Sequence, residues 1–259
     1  MLFFIIPAYN EEKNISILLE SIEKKMKGTG YSYKLIVVND GSTDDTKRAV
    51  ERYEKKLPII LLNHDKNKNV GQVFRTAFEH ILKTADDQDI IITKEADNTS
   101  DLGILDKMLN MVNNGYDLVL ASCYARTGRV MGTTLDRRIL SFCANMMIKI
   151  LFPIRGVHTY SSFYRAYRAG SLRKACRAYD NQLIEEAGFG CMVEMLIKLS
   201  RLPLKISEVP MILHCDFRKG KSKMNKWRTI SEYIFLIRDN FIVDRKDMND
   251  KIRRYVEDV

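Results

Sequence analysis

The chain has 259 residues, 46% of them hydrophobic and 29% charged, with a net charge of +9. That balance supports one sizeable core and excludes a disordered or collagenous chain. Five cysteines without C-x-x-C spacing exclude a zinc ribbon or a disulfide framework and point to reduced, mostly buried thiols.

The N-terminal "MLFFIIPAYN" is apolar for six residues before Pro7, too short for a signal sequence, and reads as a buried strand. "PAYNEE" opens the next helix, with Asn10 as its cap and Glu11 and Glu12 in its first turn. "KNISILLESIEKKM" is that helix, "YKLIVVND" the second strand, and "GSTDDT" a turn into the helix "KRAVERYEKK". "PIILLN" is the third strand, and the helix "NKNVGQVFRTAFEHILK" shows one apolar face of Ala77, Phe78, Ile81 and Leu82. "QDIIITKEAD" is the fourth strand, followed by the helix "LGILDKMLNMVNNG", opened by Asp101, and the fifth strand "YDLVLASCY". Strands alternating with helices predict an α/β fold with a parallel, doubly wound sheet, whose ligands bind beyond the carboxyl ends of the strands. The polar groups "YNEE", "NDGSTDD" and "KEADN" all fall on that rim. No G-x-G-x-x-G follows the first strand and no G-x-x-x-x-G-K-[ST] occurs, which disfavours dinucleotide and P-loop binding.

Beyond Arg129 the chain becomes basic, amphipathic and rich in Met and Phe. Between Ala121 and Ala175 ten Lys and Arg face one acid, Asp136, and Arg outnumbers Lys by eight to two. A second cluster runs through Arg218, Lys219, Lys221, Lys223, Lys226 and Arg228. Such density predicts an anionic partner: phosphate or an acidic membrane surface. No nucleic-acid reading module is present, so nucleic acid is not expected. "ILSFCANMMIKILF" and "WRTISEYIFLIRDNFIV" are amphipathic, and each reads equally as a core helix or as a helix lying on a membrane. No apolar run is long enough to span a bilayer, which predicts a cytoplasmic, peripheral protein.

Glu95 and Asp97 end the fourth strand, and residues i and i+2 of an extended chain point to one side. Two carboxylates facing one volume require a cation, and Mg2+ or Mn2+ completed by diphosphate oxygens is the hard-ligand solution. The alternative is a helix N-cap cluster, a role assigned to Asp101.

In this order, "FFIIPAYNEEKNISILLESI", "YKLIVVNDGSTDDT", "EADNTSD", "GYDLVLASCY", "YSSFYRAYRA", "GFGCMVEMLIKL" and "ISEVPMIL" with "RKGKSKM" resemble glycosyltransferase family 2. Within it the resemblance is to polyprenyl-phosphate hexosyltransferases of the dolichyl-phosphate mannose synthase type. It implies a GT-A fold over 1–225, with a nucleotide-sugar half to about 122, an acceptor half from 123, and a C-terminal amphipathic helix and tail over 226–259. It implies transfer from a UDP- or GDP-linked sugar with Mg2+ or Mn2+. Pro7, Tyr9 and Glu11 would then line the base pocket, and Asp40, beside Gly41, would hold base or ribose. Glu95 would sit near ribose and diphosphate and share the metal with Asp97, whose partner in catalysis is Arg218. Arg126, Arg137, Arg218, Ser222 and Lys223 would meet acceptor or donor phosphate. Departures from the family pattern are Glu95 for the usual aspartate, and Cys123, Thr159 and Phe163 on the acceptor side.

The acceptor is a lipid phosphate or a glycan hydroxyl. A phosphate is already an anion and needs little base catalysis, whereas a hydroxyl needs a carboxylate. Glu185, Glu186 and Glu194 are near enough in sequence to the acceptor segment to be considered, with Glu194 either a base or a structural partner of an arginine. His64 and His158, with no partner visible in the sequence, read as structural. A silent nucleotide-sugar-binding domain is the remaining alternative.

Overall fold

The computed structural model describes residues 1–220, 232–233, 236–237 and 245–257. The helix expected over 227–243, and with it Ser222 and Lys223, lies largely or wholly outside the described residues.

In chain order the elements are β1 (Leu2–Ala8), α1 (Ile15–Met26), β2 (Tyr33–Asn39), α2 (Thr46–Glu51), β3 (Ile59–Asn63), α3 (Val70–Ile81) and β4 (Ile90–Thr93). A 3-10 turn (Leu102–Ile104) leads into α4 (Leu105–Asn113), β5 (Leu118–Ser122), β6 (Arg129–Met131) and α5 (Leu135–Leu151). Then follow β7 (Arg165–Arg168), α6 (Ala169–Ala178), α7 (Cys191–Ser200), β8 (Ile206–Pro210), β9 (Ile212–His214) and α8 (Arg245–Glu257). Seven strands form one sheet in the order β3-β2-β1-β4-β7-β5-β8, and β6 pairs with β9 in a small parallel ribbon. Side chains alternate between the two faces of the sheet, and each face has its own core. Phe3, Ile5, Ile36 and Val38 pack under α3, α6 and α7. Phe4, Ile6, Leu35 and Val37 pack under α1 and α4.

The sheet is not wholly parallel, as the strand-helix alternation predicted. β7 runs antiparallel to both neighbours, β4 and β5. The reason is the path of the chain. β5 delivers it to the rim, β6 and α5 keep it there, and β7 therefore enters the sheet from the opposite end. A loop after α6 and the return helix α7 bring the chain back, so that β8 again runs parallel to β5.

Two local expectations are also corrected. Asn10 does not cap α1, which begins four residues after Glu11 and holds no acid in its first turn. Asn10 has φ +53 instead, and its Oδ1 accepts from the Thr43 N–H at 2.8 Å, tying the first rim loop to the second. Asp101 does cap, accepting from the Gly103 N–H at 2.7 Å.

All five cysteines are free, with Cys123 and Cys191 buried and Cys143 exposed on α5. Burial pushes the Cys123 thiol up to about 11 and the Cys176 thiol up to about 12. Native alkylation at pH 7.5, followed by peptide mass spectrometry, is expected to modify Cys143 on the order of 100-fold faster than Cys123 or Cys176. Comparable rates at these three sites would contradict the packing described.

Candidate active site

The carboxyl ends of β1, β2 and β4 open on a cavity of about 1060 Å3. Its strand-end side is built by three loops laced together by side chain-to-backbone bonds. The Glu11 N–H donates to Thr46 Oγ1 at 2.7 Å, the Asn10 N–H to Ser42 Oγ at 3.0 Å, and the Asp45 N–H to Glu12 Oε2 at 3.2 Å. Gly41 beside Asp40 has φ +65, and a Cβ there would meet the Lys66 carbonyl carbon at 2.4 Å, so only glycine lets the third loop close over it.

Pro7, Tyr9, Glu11, Asp40, Glu95, Asp97, Arg137 and Arg218 all line this cavity. Arg126 is exposed and does not line it. Asp40 is held by His64, whose Nδ1 lies 2.6 Å from Asp40 Oδ1 and whose Nε2 lies 3.0 Å from Thr76 Oγ1. The Lys68 N–H donates to the same Asp40 oxygen at 2.9 Å. His64 is thus a positioning residue for Asp40, a partnership hidden in the sequence because it spans 24 positions.

β4 stops at Thr93, so Glu95 and Asp97 share the cavity through a turn rather than through strand alternation. Their electrostatic settings differ. Lys94, fully buried, places Nζ 3.7 Å from Glu95 Oε2 and 5.4 Å from the centre of the Tyr164 ring. Ser100 Oγ donates to Glu95 Oε2 at 2.9 Å. Burial raises the Glu95 carboxyl, Lys94 opposes that and Asp97 adds to it; the net shift is upward. Burial also acts to raise Asp97, but the Arg218 charge and donors from Thr99 outweigh it, so Asp97 lies below its ordinary value. As pH falls Glu95 therefore takes up its proton first and Asp97 stays charged longer. Arg218 Nε donates to Asp97 Oδ2 at 2.7 Å and Nη2 donates to the same oxygen.

Among the described residues no group of three or more His, Cys, Asp or Glu converges as a ready-made metal cage. The donor set nevertheless fits a hard divalent ion, because Asp97 is an ionised carboxylate already carrying a cation, the guanidinium, at the place an ion would take. Asp97 would be the residue to hold Mg2+ or Mn2+. Glu95, drawn toward Lys94 and Ser100, is the weaker candidate.

The opposite wall of the cavity is α5. Of its 17 residues only Asn145 and Ile148 are buried. Asn145 anchors it, donating to the His158 carbonyl at 2.6 Å and accepting from the Tyr160 N–H at 2.9 Å. Leu135, Ile139, Phe142 and Ile150 are 50–71% exposed, and Arg137 and Arg138 flank them. The core-helix reading of α5 is therefore set aside. The basic segment is likewise not one face. Arg165 is fully buried and donates to the carbonyls of Ser162, Tyr160 and Met192, while Arg173 pairs with Asp87.

Glu194 is not aimed at the cavity. It is buried, accepts from the N–H groups of Glu185 and Glu186, and pairs with Lys198 at 2.7 Å, a lysine where an arginine was expected. His158 pairs with Glu208 at 2.5 Å.

A parallel-dominated sheet with one antiparallel strand, and a cavity on its carboxyl rim, are the features of a GT-A fold. The solved structure of glucosyl-3-phosphoglycerate synthase from Mycobacterium tuberculosis, with Mn2+, UDP and glucosyl-3-phosphoglycerate, superposes with a TM-score of 0.63 at 18% identity, over 95% of this chain and 81% of that one. The family "Glycosyl transferase family 2" matches residues 3–176, and the chain belongs to it. Dolichol-phosphate mannosyltransferase of Pyrococcus furiosus is 28% identical over 231 residues, 89% of this chain but only 60% of the relative. Undecaprenyl-phosphate mannosyltransferase of Micrococcus luteus is 27% identical over 222 residues, 85% of this chain and 86% of the relative.

Proposed function

We propose that the chain moves a hexose from a nucleoside diphosphate sugar to a polyprenyl phosphate at an anionic membrane surface, with inversion at the anomeric carbon. The observation that carries this reading is the cavity's polarity: acidic and aromatic at the strand ends, apolar and arginine-flanked at α5. A diphosphate sugar suits the first end, and a lipid bearing a phosphate suits the second. The polyprenyl-phosphate names of the relatives agree with it.

The four acids lining the cavity, Glu11, Asp40, Glu95 and Asp97, all belong to the donor rim. Across from them, the described lining carries Tyr124, Arg137, Arg138, Ser141 and Thr159, with no carboxylate or imidazole. That wall suits an acceptor that is already an anion. One acceptor phosphate oxygen bonds to the anomeric carbon as the bond to the diphosphate oxygen breaks, and that oxygen keeps the electron pair. A divalent ion at Asp97 would supply charge neutralisation for the departing diphosphate. Tyr9 and Pro7 hold the base, Asp40 accepts from donor hydroxyls or base N–H groups, and Arg137 with Arg138 positions the acceptor phosphate. Among the described residues no helix is long and apolar enough to cross a membrane, so α5 would lie flat on it.

The test is sugar transfer from a panel of UDP- and GDP-sugars with Mn2+, with and without a short polyprenyl phosphate. Lipid-dependent product is expected, and transfer only to glycans would contradict the reading. Vesicles containing phosphatidylglycerol should also slow Cys143 alkylation, whereas neutral vesicles should not.

A further inference from the structure

We propose that Arg218 is the resting counter-ion of Asp97, locked there by Asn14, so that a divalent ion is admitted only together with a diphosphate; this rests on the transferase reading above. Both oxygens of Asp97 are in use. Oδ1 accepts from the Thr99 N–H at 3.1 Å and from Thr99 Oγ1 at 2.7 Å, and Oδ2 accepts from two nitrogens of Arg218. A metal ion needs one of those lone pairs, and Arg218 is the donor that has somewhere else to go.

Arg218 is not a loose surface contact. The next peptide is gripped by Asn14, whose Oδ1 accepts from the Lys219 N–H at 2.9 Å and whose Nδ2 donates to the Lys219 carbonyl at 3.0 Å. Asn14 is 1% exposed, and its Nδ2 also donates to Glu11 Oε2 at 2.7 Å, which fixes the amide's orientation. The Asn14 carbonyl in turn accepts from Asn98 Nδ2 at 3.0 Å. The Asp97–Asn98 turn, the start of α1 and the Arg218–Lys219 segment thus close into a ring. Asn14 stands at the N-cap position of α1 yet makes no side-chain cap bond, because its amide is spent on this clasp.

A bare divalent ion would have to evict the guanidinium, leave it without an anion and then sit beside its positive charge. A diphosphate arriving with the ion gives Arg218 a new bidentate partner, so the exchange is balanced only when both enter. Glu95 is the weaker ligand for the ion, since Lys94 and Ser100 both engage its Oε2. Metal and nucleotide binding are therefore positively coupled through one arginine, and Asn14 is a positioning residue for it.

Free Mn2+ measured by electron paramagnetic resonance tests this directly, with Mn2+ alone and with UDP or GDP. Wild type is expected to bind Mn2+ at least about tenfold more weakly alone than with the nucleotide it accepts. Arg218→Met is expected to bind Mn2+ alone about tenfold more tightly than wild type, and Arg218→Lys, which keeps the charge, to stay near wild type. Asn14→Ala should shift in the same direction by a factor of ~3, a change a purely structural asparagine would not produce. If Arg218→Met proves unstable, Asn14→Ala decides. Equal Mn2+ binding with and without nucleotide in wild type, or no gain in Arg218→Met and Asn14→Ala, overturns the proposal; the transferase reading survives if Asp97→Asn still removes the nucleotide-dependent Mn2+ binding. No Mn2+ binding by wild type with either nucleotide overturns both.

Discussion

Replacing Asp97 by asparagine is expected to lower turnover about a thousandfold, the scale of removing one preorganised charge from a transfer site. The fold should be weakened but kept. Asparagine keeps an oxygen for the Thr99 donors, and the ion pair it breaks involves side chains 26% and 13% exposed. Because both side chains are mostly buried, some loss of stability from the unpaired guanidinium is also expected. Steady-state assays with saturating Mn2+, beside a melting curve, separate the two effects. Unchanged turnover would remove Asp97 from the chemistry.

Lys198→Met is the second large effect, and its direction is the reverse: stability falls while chemistry per folded molecule holds. Lys198 is buried on α7 and donates to Glu194 Oε1 at 2.7 Å, Glu185 Oε2 at 2.6 Å and the Gln182 carbonyl at 2.8 Å. Methionine would leave Glu194 charged and buried, which costs about 3–5 kcal/mol. In a chain of this size that is a fall in melting temperature of roughly 10 °C. Glu194→Gln, which keeps an acceptor for the Glu185 and Glu186 N–H groups, should cost less. Turnover of the folded Glu194→Gln protein near wild type would separate a structural glutamate from the catalytic base considered from sequence. A large loss of kcat without loss of stability would restore the base reading.

Much of the N-terminal half was legible in the chain. Alternating buried runs gave β1 to β5 and the helices between them, because each strand is flanked by turn residues and each helix shows a 3.6-residue stripe. The rim followed from the rule that open α/β sheets bind ligands at strand ends, and the cavity does gather Pro7, Tyr9, Glu11, Asp40, Glu95 and Asp97. What stayed hidden depends on long-range contact. β7 has only four residues and its antiparallel sense is set by the path of α5, not by its own sequence. Asn14 reaches Lys219 across 205 positions, and no local pattern marks it. Asn10 misled because an asparagine before a helical run suggests a cap, yet here it takes a left-handed conformation and joins two loops. Lys94 was missed, although it ends an apolar run just before two acids. The signal that could have found it is the cost of burying a lysine without a partner, which Glu95 and the Tyr164 ring meet.

A crystal of the protein grown with Mn2+ and a nucleoside diphosphate, measured at the manganese edge, tests the central assignment most directly. The account predicts an anomalous peak at coordination distance from an Asp97 carboxylate oxygen, with Arg218 turned from Asp97 onto the diphosphate. Nucleotide bound with Arg218 still on Asp97 and no peak beside that carboxylate would contradict it.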